Sequence, residues 1–255
     1  MRIHASTDLP HGRAVGDWLA SGPSAAYGPA GMRLDSVQIG VADLESGTAA
    51  YSLLIGMEPV PGPNGSRRFQ LAPGAIELVP GDQGIRSIRF ITEEGEDPRR
   101  LPASADGLTI LIEPPAAGLP GPAGDAPVHA IDHVVVRSTD PDRAVALWRD
   151  RLGLRLALDR VFADRGLRLL FFRSGGITLE YATAHPPAGP AGPDRLWGVS
   201  YRVRDLASHR DRLLAAGVDV SEMRVGMRPG TSVATVRSGT AGVPTLLLQV
   251  DRPPS

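Results

Sequence analysis

The stretch IDHVVVRSTDPDRAVALWRDRLGLRLALDRVFADRGLRLLFFRSGGITLEYATA, residues 131–184, decides the fold. Its opening IDHVVV is a short apolar, β-branched run, and DPDRAVALWRDRLGL then places apolar residues at helical spacing between an Asp-Pro start and a Gly stop. Three strand-like runs follow, LRLALDRV, LRLLFFR and ITLEYA, separated by the turn signals ADRG and SGG. The stretch therefore predicts a βαβββ unit with His133 on its first strand and Glu180 on its last.

The same pattern recurs along the chain. LDSVQIGVADLESGTAAYSLLIGMEPV aligns with the start of the central unit, so that Asp43 falls on Asp140 and Gly56 on Gly153. A further copy begins at Trp197, and the runs IRSIRFIT and LTILIEP predict an abbreviated copy in between, with EEGEDPRRLPASAD replacing most of its helix. Four units in two pairs is the economical interpretation, because pairing two units closes a half-barrel over a cavity.

Proline- and glycine-rich segments divide these units. We predict an N-terminal extension at 1–31, a first domain at 32–114 with an abbreviated second module, a Pro/Gly linker at 115–128, and a second domain at 129–252. The predicted fold class is α+β, with tandem βαβββ modules paired into half-barrel sheets.

Composition narrows the class of protein. The chain has 255 residues and a formal net charge of −1, which gives no electrostatic reason to expect nucleic acid or an anionic membrane as a partner. It contains no cysteine, so disulfides and thiolate metal sites are excluded. No apolar run approaches the roughly 20 residues of a membrane helix, and the N-terminus does not resemble a signal peptide. We therefore expect a cytoplasmic protein, with monomer and homodimer both open.

Four motifs carry a resemblance to a known family. A strand with D-H-V-V-V, a D-P-x-R-A helix start, an R-x-G-L helix end and a G-I-T-L-E-Y last strand resemble the vicinal oxygen chelate superfamily. That group includes glyoxalases, extradiol dioxygenases, and bleomycin and fosfomycin resistance proteins. The resemblance covers about 33–252 and is strongest in 131–252. It implies a glyoxalase-like fold and a small-molecule partner, but it does not specify the reaction.

The resemblance also implies a metal site, because members of this family take ligands from the first and last strands of paired units. Here those positions are His133 and Glu180. Counting seven residues back from the aspartate that starts each helix gives Ser36 and Gly198 as the other first-strand positions, and neither can replace an imidazole.

The last-strand positions of the other units are Glu77 and either Leu247 or Leu248. Divalent Fe, Mn, Ni or Zn needs about three nitrogen or oxygen donors to be held firmly. A third donor would have to come from Glu77 through a different pairing of units, from a partner subunit, or from water and substrate. A site with a divalent metal and a metal-free site therefore both stay open.

Each of the two residues also has a plain structural interpretation. A lone histidine on a strand is usually a hydrogen-bonded core or cavity residue. Glu180 is more informative, because a carboxylate facing inward from an apolar strand is costly unless it is paired, protonated or bound to a cation. We predict Glu180 as the catalytic residue.

Strand alternation places further polar and aromatic side chains beside this pair. The predicted substrate-binding residues are Arg137, Phe172 (with Phe171 as the alternative), Thr178, Trp197, Ser200, Arg202 and Arg228. Core packing is the competing interpretation of the aromatic residues, and simple solvation is the competing interpretation of Arg228.

Two functions follow. In the first, the protein is a metal-dependent lyase, isomerase or dioxygenase, or Glu180 acts as a base if the metal is held otherwise. In the second, it is a metal-free protein that sequesters a drug or metabolite, as bleomycin-resistance proteins do. The missing ligands favour the second function, and the presence of His133 and Glu180 favours the first.

Overall fold

The computed structural model describes residues 32–92, 104–114, 124–187 and 189–251. The predicted extension at 1–31 lies outside the described residues. So do most of the predicted linker and most of the segment EEGEDPRRLPASAD.

Two sheets, three longer helices and two single 3₁₀ turns (Pro63–Gly65 and Ala163–Arg165) make up the described part. The strands of the first sheet are β1 (Met32–Val41), β2 (Val60–Pro61), β3 (Arg67–Gln70), β4 (Ala75–Pro80), β5 (Gly84–Thr92), β6 (Ser104–Ala105) and β7 (Leu108–Glu113). The strands of the second are β8 (Val128–Ser138), β9 (Arg155–Phe162), β10 (Leu167–Ser174), β11 (Ile177–Ala184), β12 (Arg195–Val203), β13 (Arg224–Val225), β14 (Thr231–Val236) and β15 (Thr245–Val250). The helices are α1 (Leu44–Ile55), α2 (Pro141–Val145, continued as a π-helix over Ala146–Arg151) and α3 (Leu206–Ala215).

The repeated aspartate and glycine of the sequence pattern set the ends of the helices. Asp43 accepts a hydrogen bond from the backbone N–H of Ser46 at 2.7 Å, which caps the N-terminus of α1. Asp140 and Asp205 cap α2 and α3 in the same way. Gly56 ends α1 with a φ of 81°, a left-handed conformation that favours glycine. No helix within the described ranges is long and apolar enough to span a membrane.

Strand pairing shows which units combine. In the first sheet, β1 pairs in parallel with β4 and antiparallel with β5. In the second, β8 pairs in parallel with β11 and antiparallel with β12, and β12 pairs in parallel with β15. Consecutive units therefore pair, the first with the abbreviated one and the third with the fourth. Glu77 lies in the first sheet, so the different pairing that would bring it to His133 does not occur.

One hydrophobic core continues from the first sheet to the second. The rings of Phe90, on β5, and Trp148, in the π-turn of α2, lie 5.5 Å apart between centroids. Trp148 also donates a hydrogen bond from its indole nitrogen to the buried hydroxyl of Tyr181 on β11. Core side chains such as Val134, Leu179 and Tyr181 pack on one face of the second sheet. The opposite face carries His133 and Glu180 and is free to carry a site, and we name it the concave face after the half-barrel that the sequence predicts.

Candidate functional site

The concave face of the second sheet carries a linked row of ionisable side chains. The Nε2 atom of His133, on β8, lies 3.7 Å from Oε2 of Glu180, on β11. The other ring nitrogen, Nδ1, lies 2.8 Å from Oδ2 of Asp132. Asp132 reaches this position through a β-bulge: Ser200 pairs with His133, and the next residue of β12 pairs with Ile131, which leaves Asp132 as the extra residue. The bulge turns adjacent side chains to the same face.

Burial and charge perturb the three groups in different directions. Burial lowers the pKa of His133, but the charges of Glu180 and Asp132 outweigh that effect and raise it above the ordinary value. Burial raises the pKa of Glu180, and the nearby His133 offsets this only in part. Burial also opposes ionisation of Asp132, yet His133 and Arg202 together hold its pKa well below the usual range. A half-buried acid and base with shifted pKa values are typical of a catalytic site.

Asp132 also fixes the chemistry of the imidazole. A carboxylate beside Nδ1 requires that nitrogen to carry the proton, so Nε2 is the nitrogen that exchanges a proton or binds a ligand on the side of Glu180. Oδ1 of Asp132 accepts a hydrogen bond from Nε of Arg202 at 2.6 Å. Asp132 is thus bound from two sides and holds His133 in place.

Several predicted substrate-binding residues surround this pair. Thr178 pairs with His133 across β8 and β11, and Ser200 pairs with it across β8 and β12. Ser200 is fully buried, and its hydroxyl has no hydrogen-bond partner among the described residues. Trp197 lies further along β12, where the guanidinium carbon of Arg137 stands 4.3 Å from the centroid of its ring. This stacked pair forms a rim of the concave face.

The assignment of Phe172 is wrong. Phe172 is fully buried in the core and packs edge-on against Tyr181, with 5.8 Å between ring centroids. Its neighbour Phe171 pairs directly with Glu180 across β10 and β11, so Phe171 is the aromatic residue on the concave face. Two consecutive phenylalanines cannot be told apart by strand alternation until the register of β10 is known.

Two residues of the site were missed from the sequence. Asp132 would point away from His133 in a regular strand, and nothing in the sequence announces the bulge. Arg173 shares the face of Phe171, and one of its terminal nitrogens donates to the hydroxyl of Thr178. Correct alternation along LRLLFFR would have found Arg173 once Phe171 had been placed.

The donor set does not fit a firmly held divalent metal. Two protein ligands of one ion lie about 3.0 to 3.5 Å apart, and the 3.7 Å between His133 and Glu180 is close to this spacing. However, position 198 is a glycine and offers no ligand, and a β-carbon there would lie 2.8 Å from the backbone oxygen of Pro244, so that a side chain would require the backbone to shift. Ser200 stands two residues after Gly198, as Val135 stands two residues after His133. Glu180 pairs with Val135 and Leu246 pairs with Ser200, so Leu246 is the counterpart of Glu180, in place of the predicted Leu247 or Leu248.

Asp132 cannot supply the missing donor, because its carboxylate binds the opposite side of the imidazole from Nε2. Two side chains, those of His133 and Glu180, are therefore placed to bind one ion, whereas firm binding needs about three. The residues described here contain no cluster of three metal-ligating side chains.

The first sheet has a glutamate at the position equivalent to Glu180, and there charged side chains surround it. Glu77 pairs with Gln38 as Glu180 pairs with Val135, so the two glutamates are counterparts. Glu77 is completely buried and forms ion pairs with Arg68 and, at 3.1 Å, with Arg89. Its role is therefore structural.

The counterparts of these arginines in the second sheet are Phe171 and Ser200. Neither can neutralise a carboxylate by charge. Among the described residues, the charges that act on Glu180 are therefore those of His133 and Asp132, whereas guanidinium groups fill the equivalent space in the first sheet.

A separate depression of about 980 Å³ lies between α1 and β3, lined by Asp43, Leu44, Glu45, Thr48, Ala49, Ser52, Leu53, Glu58 and Arg67. It is open to solvent, and its lining holds neither a histidine nor a shielded pair of titratable groups. We therefore place the candidate site at the His133–Glu180 pair.

Comparisons with known proteins bear on the family and the fold of the chain. Residues 132–235 match the sequence model of the Glyoxalase/Bleomycin resistance protein/Dioxygenase superfamily. The Mn(II)-bound glyoxalase from Novosphingobium aromaticivorans has a similar structure, with a TM-score of 0.63 at 18% identity over 86% of this chain and 82% of that one. Methylmalonyl-CoA epimerase from Mycobacterium tuberculosis matches with a TM-score of 0.41 at 21% identity, over 51% of this chain and 93% of that one. No curated protein matches the chain.

The match over residues 132–235, which lie in the second sheet and its helices, shows that this part of the chain is similar to the vicinal oxygen chelate superfamily, as the sequence motifs indicated. Across both sheets the chain has a glyoxalase-like α+β fold. This fold hosts several chemistries, so the reaction must be argued from the residues of the site.

Proposed function

We propose that the concave face of the second sheet is an active site in which Glu180 exchanges a proton with a small organic substrate. The observation that carries this proposal is the His133–Glu180 pair, 3.7 Å apart and largely shielded from solvent. Burial raises the pKa of Glu180 towards the range in which a carboxyl group takes up and releases protons at neutral pH.

In this proposal Glu180 acts as the base and His133 as the acid. The Glu180 carboxylate accepts a proton from a substrate carbon next to a carbonyl group. The imidazolium of His133 then offers its Nε2 proton to the developing oxyanion, and Asp132 stabilises the positive ring through Nδ1. Return of a proton at another position gives isomerisation, and loss of a neighbouring group gives a lyase reaction.

Solvent hydrogen exchange tests this proposal without knowledge of the final product. The protein is incubated in D2O with a panel of small 2-hydroxy acids, 2-keto acids and acyl thioesters, and deuterium incorporation is followed by NMR. We expect exchange into at least one compound, and a loss of about 10²- to 10⁴-fold in Glu180→Gln.

Glu222→Gln is the matched control, because the carboxylate of Glu222 is 98% exposed and stands outside the site. Exchange at the same rate in Glu180→Gln and in the wild type would contradict the role of Glu180.

Elemental analysis tests the donor set. With two ligand residues in place, we expect substoichiometric Mn, Fe, Ni and Zn in the purified protein. Stoichiometric metal that is lost in both His133→Ala and Glu180→Ala would overturn the metal-free form of the proposal.

A binding protein that sequesters a small molecule is the second candidate. The observation that favours it is the mixed rim of the concave face, where Phe171 and the stacked Trp197–Arg137 pair offer flat surfaces to an organic ligand. Calorimetric titration of the same panel separates the two functions. Tight binding without exchange, unchanged in Glu180→Gln, supports sequestration, whereas exchange that depends on Glu180 supports an enzyme.

A further inference from the structure

Two guanidinium groups flank His133 on the concave face. Arg202 reaches it from β12, where its Nε donates to Asp132 at 2.6 Å and Asp132 binds the imidazole. Arg173 reaches it from β10, where it donates to Thr178, the residue paired with His133. Both arginines are only partly exposed, so their charges are incompletely solvated.

A third arginine, Arg228, lies in the turn between β13 and β14. Arg228 is partly buried, and its guanidinium forms no ion pair within the described part of the chain. Burial lowers the pKa of Arg173, and the charges of Arg155, Arg202 and Arg228 lower it further. The charge of Asp132 opposes theirs at Arg173. Around Arg173 the positive charges thus outnumber this carboxylate, at a place where water screens them poorly.

We propose that Arg173, Arg202 and Arg228 form a subsite that binds an anionic group of the substrate, a carboxylate or a phosphate. The guanidinium fork matches the oxygen atoms of either group, and Nε alone of Arg202 is engaged by Asp132. The assignment rests on the proposed function, because it concerns the substrate on which Glu180 acts.

The position of the subsite sets the spacing between two parts of the substrate. Thr178, which Arg173 contacts, precedes Glu180 by two residues on β11, a distance of about 7 Å along a strand. A single small molecule spans that distance. The anionic group and the carbon that loses a proton can therefore belong to one acid or phosphate ester.

The test is calorimetric titration of the purified protein with inorganic phosphate and with acetate, at low ionic strength. We expect saturable binding of at least one probe, weakened about tenfold or more in Arg173→Met and in Arg228→Met. Arg228→Met provides the second variant in case the more buried Arg173→Met fails to fold. Binding of either probe that weakens in the arginine variants supports the subsite. The probe that binds more tightly identifies the anionic group that the subsite prefers.

Arg237→Met is the matched control, because it removes the same charge from an exposed residue that pairs with Asp219 at 3.3 Å. Equal affinity in the control and in both arginine variants, or no binding by the wild type, would overturn the subsite.

Glu180→Gln separates this inference from the proposed function. It should bind the anions at least as tightly as the wild type, since it lacks a negative charge, while losing proton exchange. Proton exchange that depends on Glu180 but not on Arg173 or Arg228 would leave the active site in place and remove the subsite.

Discussion

Asp132 binds both His133 and Arg202, so at the scale of single residues it is the centre of the site. We predict that Asp132→Asn lowers the pKa of His133, because the amide removes a charge that raises it while burial and Arg202 still act in the opposite direction. NMR titration of the imidazole measures this change. An unchanged pKa in Asp132→Asn would show that Glu180 alone sets the charge of the ring.

The same pKa has a consequence for stability. Because folding raises the pKa of His133, its contribution to the free energy of unfolding is fully present below about pH 6.5. It is lost as the pH rises through the pKa of the folded state. Asp132→Asn should reduce this loss, which denaturant titrations at several pH values would show.

Glu77 differs from Glu180 in its partners and hence in its role. Removing its charge leaves the buried Arg68 and Arg89 without compensation, so Glu77→Gln should cost about 3–5 kcal/mol in the free energy of unfolding. Glu113→Gln is the control, because this half-exposed carboxylate lies 3.3 Å from Arg89 and should cost under about 1 kcal/mol. Urea denaturation measures both, and equal losses would contradict a structural role specific to Glu77.

At the scale of strands and helices, Gly198 shows why the fourth unit offers no ligand from its first strand. A β-carbon there would press against the backbone of Pro244, whose oxygen also accepts a hydrogen bond from Val199 at 3.0 Å. Gly198→Ala should therefore destabilise the protein by about 1–3 kcal/mol. At Gly124 a β-carbon would meet nothing within 4 Å, so Gly124→Ala should leave the thermal midpoint nearly unchanged. A neutral Gly198→Ala would mean that β12 and β15 can separate to admit a side chain.

The repeated units were predictable because their helix ends are written in the sequence. The three helices are capped by Asp43, Asp140 and Asp205, and a glycine follows the end of each helix. The spacing between aspartate and glycine was therefore enough to locate the units. Side-chain direction within a strand was harder to predict. It depends on register and bulges, which are fixed by the neighbouring strands.

The errors in the predicted site concern the direction of side chains on strands and not the positions of the strands. His133 and Glu180 lie on the concave face as alternation required, but Phe172 was chosen over Phe171, and Leu247 or Leu248 over Leu246. Each error is a displacement of one or two residues along the correct strand. The domain boundaries and the roles of the site residues stay predictions.

At the scale of the whole molecule, side chains of helix α3 in the second half form hydrogen bonds with the end of helix α1 in the first half. Arg212 donates to the backbone oxygen of Leu53 at 2.6 Å, and Nε2 of His209 donates to that of Leu54 at 2.9 Å. Arg212 also donates to Nδ1 of His209 at 3.2 Å. With the continuous core, these bonds should make the two halves unfold together.

His209 makes this junction sensitive to acid. Burial and the charge of Arg212 lower its pKa to about 4, because a proton on Nδ1 would face the guanidinium. Its contribution to stability is therefore present above about pH 6.5 and is lost as the pH falls towards 4, a change of about 3 kcal/mol. His209→Gln keeps a donor for Leu54 and cannot titrate, so its unfolding free energy should depend less on pH in this range.

The exposed His185 provides the control, since His185→Gln removes an imidazole away from the junction. Urea denaturation followed between pH 7 and 4 should give parallel curves for the wild type and His185→Gln, and a flatter one for His209→Gln. If all three curves run parallel, His209 takes up its proton in the folded state without cost. The acid sensitivity of the junction between the halves would then have to come from carboxylates.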